Sequence, residues 1–132
     1  MGDGAAFHGA KLALLCDGSI LTYLRDDKVG IPFPGFWDLP GGGREGTEGP
    51  IECVLRELDE EFALRLSPER LKWSRFYPSA DPSEAGAFFF AGAIRADEIA
   101  SIRFGDEGQC WGMMGLDEYL AHDLAVPVWF HV

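Results

Sequence analysis

The sequence predicts an α/β fold in which a mixed β-sheet is sandwiched by helices. Its 132 residues suit one domain, spanning 1–132, that can bury a substantial core. Short apolar runs typical of strands alternate with segments of helical periodicity, but without the regular strand–helix–strand rhythm of an all-parallel sheet. A mixed sheet with helices packed on it satisfies both observations.

The first predicted element is a β-hairpin. Residues 11–16 and Ser19–Leu24 are rich in apolar side chains, and Asp17 and Gly18 separate them. An Asp-Gly pair suits a two-residue turn, because both of its central residues adopt positive φ. The two runs are therefore expected to pair as antiparallel strands.

An ordered loop is expected next. Residues 30–40 contain three prolines and three aromatic residues and lead into a short strand. The three glycines of Gly41–Gly43 follow, and their lack of side chains allows a sharp turn or the close approach of a ligand.

Pro50–Phe62 has the pattern of an amphipathic helix. Pro50 suits the first helical position, with Gly49 as the N-cap. Apolar residues then recur at spacings of three and four, which places them on one face. Further along, the pattern predicts strands over 71–77, 86–94 and 108–114, and short helices over 96–101 and 116–122.

Composition excludes several classes of protein. The chain has 22 acidic and 11 basic residues and a formal charge of −11, which disfavours binding to long nucleic acid. No apolar run approaches the ~20 residues of a membrane-spanning helix, and Met1 to Gly4 show no signal-peptide pattern, so no membrane association is expected. Cys16, Cys53 and Cys110 form no CxxC pair, which favours free thiols in the cytoplasm.

This acidity would also repel a small phosphorylated substrate, unless cations bridged the substrate to the protein. Glu57, Glu60 and Glu61 stand at i, i+3 and i+4, so their carboxylates emerge on one side of the helix. Mg²⁺ or Mn²⁺ would relieve the repulsion, because hard cations bind carboxylate and phosphate oxygens alike. Taken alone, however, the three glutamates favour a solvated acidic face.

The surrounding segment, GGGREGTEGPIECVLRELDEEFAL over residues 41–64, adds the deciding pattern. Measured from Gly42, its order is G-x5-E-x7-R-E-L-x-E-E. This resembles the signature of the Nudix hydrolases, G-x5-E-x7-R-E-U-x-E-E-x-G-U, in which U is a bulky aliphatic residue. Eight of its nine specified positions match, Leu58 and Leu64 filling the aliphatic ones. The resemblance implies a Nudix-type α/β/α sandwich and an enzyme acting on a phosphoric anhydride bond.

Ala63 is the one mismatch, since the family has glycine there. That glycine follows the helix and suits a left-handed C-cap, so alanine is expected to cost roughly 1 kcal/mol of local strain. Its effect should fall on stability or on the end of the helix rather than on activity.

The resemblance also implies roles for the residues of the signature. Glu57 and Glu61 are predicted as principal ligands of Mg²⁺ or Mn²⁺, with the carbonyl of Gly41 as a further ligand. Glu60 is a third ligand or a base that positions water, and which glutamate accepts the proton stays open. Arg56 and Glu48 are predicted to pair with carboxylates and to hold the loop against the helix.

Further candidates lie outside the signature. Glu107 lies in a Glu-Gly-Gln segment that resembles one in MutT-like members, where the acid approaches the metals; Asp106, or a solvated loop tip, is the alternative. Phe36, Phe90 and Trp111 could stack on a nucleobase, as could Phe76 and Phe89, although aromatic residues on strands are more often core.

The compact length and the Glu-Gly-Gln segment resemble MutT-type members most, which implies a nucleoside triphosphate cleaved to a monophosphate and pyrophosphate. Ala125 and Val126, before Pro127, include no asparagine that could recognise a purine edge, which argues against a damaged-guanine specialist. ADP-ribose, another nucleotide sugar and a dinucleotide polyphosphate are alternatives, and so is a non-catalytic nucleotide-binding domain. Nothing in the sequence chooses between a monomer and a homodimer.

Overall fold

A computed structural model describes residues 6–127, in which seven strands form one mixed sheet that carries three helices. The strands pair antiparallel except for β1 and β6, which run parallel. The strands are β1 (Phe7–Cys16), β2 (Ser19–Leu24), β3 (Trp37–Asp38), β4 (Gly41–Gly43), β5 (Leu71–Tyr77), β6 (Gly86–Ala93) and β7 (Cys110–Gly115). The helices are α1 (Pro50–Phe62), α2 (Ala96–Ala100) and α3 (Leu116–Ala121), and Pro68–Arg70 forms a 3₁₀ turn.

Two hydrophobic clusters lie on opposite faces of the sheet. Leu12 and Leu14 of β1 belong to the larger cluster, which includes the buried face of α1. Their neighbours Ala13 and Leu15 belong to the smaller cluster, which includes Tyr119 of α3. Because successive side chains of a strand point to opposite faces, α1 and α3 cover the two sides of the sheet. The predicted α/β/α sandwich with a mixed sheet is confirmed.

The predicted hairpin is correct at its turn and opens beyond it. Asp17 and Gly18 have φ values of 48° and 79°, as the tight turn requires. Pairing between β1 and β2, however, covers only Leu15↔Ile20 and Cys16↔Ser19. The following segment fills the gap: β3 pairs with the end of β2, and β4 pairs with the beginning of β1. This insertion places the glycine loop beside β1.

Helix α1 has the predicted bounds. The Glu52 carboxylate accepts a hydrogen bond from the Gly49 amide at 2.7 Å, which satisfies one donor at the start of the helix. The helix ends at Ala63, which adopts the left-handed conformation with φ 55° and ψ 37°, as predicted. Cys53, Val54 and Leu58 are fully buried, whereas Ile51 is 39% exposed, so the buried face begins at Cys53.

Strand β5 has the predicted bounds, whereas other elements differ from the predictions at their ends. β1 begins at Phe7 rather than at residue 11, because its first half pairs with both β4 and β6. β7 begins at Cys110 rather than at residue 108, where Gly108 turns with a φ of 91°. Cys16, Cys53 and Cys110 are free thiols. Among the helices of residues 6–127, none is both long and apolar enough to cross a membrane.

Candidate active site

The opened hairpin, the glycine loop and α1 surround a cavity of about 330 Å³. Seven charged side chains line its walls. Four acidic side chains line it: Asp26, Glu57, Glu61 and Glu107. Three basic side chains line it as well: Lys11, Arg25 and Lys28. The three glycines of β4 also line the cavity.

Glycine is required at Gly41 and Gly42, because other parts of the chain approach β4 closely on two sides. Gly41 has a φ of 131°, and a Cβ at this position would lie 2.1 Å from the carbonyl oxygen of Ala10 on β1. A Cβ on Gly42 would lie 2.6 Å from the Cδ of Glu57. Glycine therefore lets one strand contact β1 and the carboxylate of α1 at once. The sequence predicted a sharp turn or the close approach of a ligand here; the structure shows the close approach of Glu57.

Glu61 is the most buried of the acidic side chains in the cavity. It is 9% exposed, and its Oε1 accepts a hydrogen bond from the Gly41 amide at 3.0 Å. Burial raises the pKa of Glu61 to about 8, although the positive charge of Lys11 and the Gly41 hydrogen bond oppose the shift. Burial also raises the pKa of Glu57, against the opposing charge of Arg56. A bound cation would favour the ionised form of both carboxylates.

Arg56 connects the loop before α1 with the glutamates on the helix. Its Nε and Nη2 atoms donate to the two carboxylate oxygens of Glu48 at 3.0 and 2.8 Å, a bidentate pair. Hydrogen bonding to Arg56 lowers the pKa of Glu48 to about 2. Nη1 donates to Glu57 at 3.1 Å and to Glu60 at 3.2 Å, and Nη2 also donates to the Gly43 carbonyl at 2.8 Å. These contacts are the ones that the sequence predicted for Arg56 and Glu48.

The predicted acidic residues do not all lie in one place. Glu60 is 56% exposed on its side chain and is not among the residues that line the cavity, unlike Glu57 and Glu61. Glu107 does line it, whereas Asp106 does not. The loop that carries Glu107 is fixed by the Gly105 amide, which donates to the Glu61 carbonyl at 2.9 Å.

None of the five aromatic candidates lines this cavity. Phe90 is 4% exposed within the larger hydrophobic cluster, so a base could not stack on it without displacing core side chains. Trp111 is half-buried on β7 and packs against the same cluster. Phe36 is half-buried in the 25–36 loop, in edge contact with Phe33 at 5.1 Å between ring centroids.

Sequence reasoning missed an ion cluster at the base of the cavity. Asp38 is fully buried, and its Oδ2 accepts from Lys11 Nζ at 3.1 Å and from Arg25 Nη1 at 2.9 Å. Two signals were present: a lysine within an apolar strand, and an aspartate between Trp37 and Leu39. Buried charges of this kind are almost always paired.

The donor chemistry of the cavity fits a hard divalent cation. Carboxylate oxygens of Glu57 and Glu61 line it together with Gly41, and a Cβ on Gly42 would fill the space at the Glu57 carboxylate. Oxygen donors of this type suit Mg²⁺ or Mn²⁺. Within residues 6–127, no three acidic, histidine or cysteine side chains converge as a cluster that could hold an ion.

Comparison with known proteins gives a consistent result. A family model described as the NUDIX domain matches residues 7–127. The chain is 32% identical to an 8-oxo-dGTP diphosphatase of Proteus vulgaris over 54 residues, which are 41% of this chain and 48% of that protein. It is 44% identical to an RNA pyrophosphohydrolase of Acidiphilium cryptum strain JF-5 over 59 residues, 42% of this chain and 35% of that protein. The chain thus spans half or less of the length of these curated relatives.

A solved structure extends the likeness over nearly the whole chain. The crystal structure of a MutT NUDIX hydrolase from Burkholderia pseudomallei aligns with a TM-score of 0.62 and 28% sequence identity. The alignment covers 90% of this chain and 86% of that one.

Proposed function

Because the chain belongs to the Nudix family, we propose that it is a metal-dependent pyrophosphohydrolase that cleaves a diphosphate linkage in a nucleoside triphosphate or a related nucleotide. The observation that carries the proposal is the meeting of Glu57, Glu61 and the glycines of β4 in one charged cavity. Arg25 and Lys28 line the same space, so it offers oxygen ligands for a cation and donors for phosphate oxygens together.

In the proposed reaction, water attacks phosphorus, one P–O bond forms and the P–O bond to the leaving phosphate breaks. Mg²⁺ or Mn²⁺, held by Glu57, Glu61 and the Gly41 carbonyl, would supply Lewis acidity at the phosphate and lower the pKa of the attacking water. The proton of that water passes to one of the carboxylates on α1. Glu107 is a further ligand in this proposal.

Other residues of the signature act by positioning. Arg56 contacts Glu57 and Glu60 through one nitrogen, which limits the orientations of both carboxylates. Glu48 accepts two hydrogen bonds from the other side of the Arg56 guanidinium and so fixes the orientation of that group. In this proposal Glu60, which lies outside the cavity, orients water or supports the ligand set rather than forming its centre.

A nucleoside triphosphate is favoured as the substrate by the three basic side chains in the cavity. Its products would be a nucleoside monophosphate and pyrophosphate. One curated relative is named for a triphosphate, 8-oxo-dGTP, and the other for RNA. The charge of −11 disfavours a long RNA substrate here. The non-catalytic alternative is disfavoured because Glu57, Glu60 and Glu61 are all present.

The test is a hydrolysis screen of the purified protein with Mg²⁺ or Mn²⁺ against nucleoside triphosphates, ADP-ribose, nucleotide sugars and dinucleotide polyphosphates. Glu61→Gln keeps the shape of the side chain and its acceptor for the Gly41 amide, but removes the charge. A loss of about 10²- to 10⁴-fold in kcat is expected, within the range of catalytic side chains. Glu69→Gln, on the exposed 3₁₀ turn, is the matched control and should keep wild-type activity.

Turnover that requires metal and that Glu61→Gln abolishes with the fold intact would support the proposal. Turnover unaffected by Glu61→Gln would contradict the assigned site. An absence of turnover on every substrate, from folded protein supplied with metal, would favour a domain that only binds nucleotides.

A further inference from the structure

The buried ion cluster beneath the cavity joins two basic side chains to one carboxylate. The single carboxylate of Asp38 pairs with both Lys11 and Arg25, and the Tyr23 hydroxyl donates to it at 3.4 Å. Lys11 Nζ also lies 3.1 Å from the Leu39 carbonyl and 3.5 Å from that of Gly41. Its three N–H donors are thereby matched by three protein acceptors, so Lys11 has little capacity for a ligand.

Arg25, in contrast, is held in place with donors to spare. Its Nη1 donates to Asp38 at 2.9 Å and its Nε donates to the Pro32 carbonyl at 3.1 Å. Within residues 6–127, no hydrogen bond engages its Nη2 atom. The main chain of Arg25 is also fixed, because its amide donates to the Phe36 carbonyl and its carbonyl accepts from Gln109 Nε2.

These contacts make Arg25 the junction of three walls of the cavity. Pro32 and Phe36 belong to the loop between β2 and β3, Asp38 belongs to β3, and Gln109 ends the loop that carries Glu107. The guanidinium is therefore oriented before any ligand arrives, which reduces the entropic cost of binding. A second, adjoining cavity of about 250 Å³ is also lined by Arg25.

Lys28 supplies a second positive charge to the same cavity. Its side chain is 66% exposed and its Nζ lies 3.6 Å from Asp26 Oδ2, a distance too long for a strong hydrogen bond. The ammonium group can therefore turn towards a ligand. In a chain with 11 basic residues and a charge of −11, two cations with free donors in one cavity mark a place for an anion.

We propose that Arg25 and Lys28 form an anion subsite that binds a phosphate group additional to the diphosphate linkage that is cleaved, with Asp38 as the residue that positions Arg25. The proposal rests on the proposed function, which brings a phosphate chain into this cavity. Its consequence is a preference for a chain of three phosphates over a chain of two. The third phosphate receives charge-assisted hydrogen bonds that a shorter chain cannot reach.

The test measures binding rather than turnover. Calorimetric titrations in Mg²⁺ buffer compare inorganic tripolyphosphate with pyrophosphate, which carry the phosphate chain without a base. Wild-type protein should bind tripolyphosphate roughly 10-fold more tightly, the effect of hydrogen bonds to a charged group. Arg25→Gln should remove most of that preference. Arg65→Gln, a substitution at an arginine that is 85% exposed and paired with Asp59 on the surface, should preserve it.

Lys28→Gln tests the subsite independently in case Arg25→Gln impairs folding, because an exposed lysine contributes little to the stability of the fold. It should weaken tripolyphosphate binding by a factor of roughly 3 while leaving pyrophosphate binding unchanged. Lys72→Gln, an exposed lysine on β5, is its control. Asp38→Asn should reduce the preference in the same direction as Arg25→Gln, and should raise KM for a triphosphate more than it lowers kcat.

Equal affinity for the two chains in wild-type protein, or a preference that survives both Arg25→Gln and Lys28→Gln, would overturn the subsite. Titrations with ATP and ADP test whether the phosphate chain that the subsite selects belongs to a nucleotide or to an inorganic polyphosphate. The same preference for ATP supports a nucleoside triphosphate, and a preference confined to the inorganic chain overturns that assignment. Selective binding without hydrolysis of any nucleotide would contradict the proposed function alone, whereas hydrolysis without selectivity would contradict the subsite alone.

Discussion

Ala63 shows how one residue can conflict with a backbone that the rest of the helix imposes. Helix α1 ends there in the left-handed conformation, and the Ala63 amide donates to the Asp59 carbonyl at 2.9 Å, as in helices that end on glycine. The side chain is exposed, so no packing compensates for the unfavourable φ of 55°. The strain therefore counts against the folded state.

We predict that Ala63→Gly raises the free energy of unfolding by about 1 kcal/mol, because glycine adopts this conformation without the steric cost of a Cβ. Urea denaturation monitored by circular dichroism measures the change. Ala100→Gly is the matched control, since Ala100 is an exposed residue of α2 in ordinary helical conformation. That substitution should have the opposite sign, with a loss of up to about 1 kcal/mol. Equal effects of the two substitutions would contradict the strain argument.

At this scale, the sequence predicted residues that follow from fixed spacing along one helix and one loop. Glu57 and Glu61 line the cavity with Gly41 because a helix and a glycine strand place them with little freedom. The environment of Phe90 was harder to predict, since an apolar strand residue can face a site or the core. Only the assembled sheet decides between the two. Arg25 could not be predicted as a cavity residue, because its partners come from three separate segments.

Among the elements, the opened hairpin does most to shape the site. The pairing rule for an Asp-Gly turn predicted two strands in contact along their length, but residues 37–43 enter between them. Local turn chemistry fixes the turn alone; which strand pairs further away depends on contacts between residues distant in sequence. Two ion pairs stabilise the separation of β1 from β2: Lys11 on β1 and Arg25 after β2 both pair with Asp38 on the inserted strand.

We therefore predict that Asp38→Asn lowers the free energy of unfolding by about 3–5 kcal/mol, the usual cost of leaving buried charges without their partner. Chemical denaturation of the metal-free protein measures it. Asp59→Asn is the control, because Asp59 pairs with Arg65 on the surface and its loss should change stability by less than about 0.5 kcal/mol. If Asp38→Asn proved as mild as Asp59→Asn, the three strands would not depend on this ion cluster.

On the scale of the whole molecule, the net negative charge and the buried glutamates both affect how the stability of the fold depends on pH. The chain carries a charge of −11, and the cavity adds Glu61, whose pKa burial raises from its ordinary value of about 4.5 to about 8. An acid with a raised pKa destabilises the folded state when it ionises. The stability of the metal-free protein should therefore decrease as the pH rises from about 4.5 to about 8.

A divalent cation should reverse this trend if it binds where the proposed function places it. We predict that Mg²⁺ at about 100 times its dissociation constant stabilises the protein by about 2.7 kcal/mol, the value expected for a ligand of the folded state alone. At one fixed Mg²⁺ concentration, the effect should be larger at pH 8 than at pH 6, because protons compete with the metal for Glu61 below its pKa of about 8. Thermal unfolding at both pH values, with and without Mg²⁺, measures the effect.

Screening by salt must be separated from binding at the site. NaCl at matched ionic strength reduces repulsion over the whole surface and should stabilise the protein only slightly, with little dependence on pH in this range. Glu61→Gln removes one titrating carboxylate but keeps its hydrogen bond to Gly41, so it should greatly reduce both the Mg²⁺ effect and its pH dependence. If NaCl reproduced the Mg²⁺ effect, or if the variant responded as strongly as the wild type, the stabilisation would come from general charge screening and not from a cation held by α1.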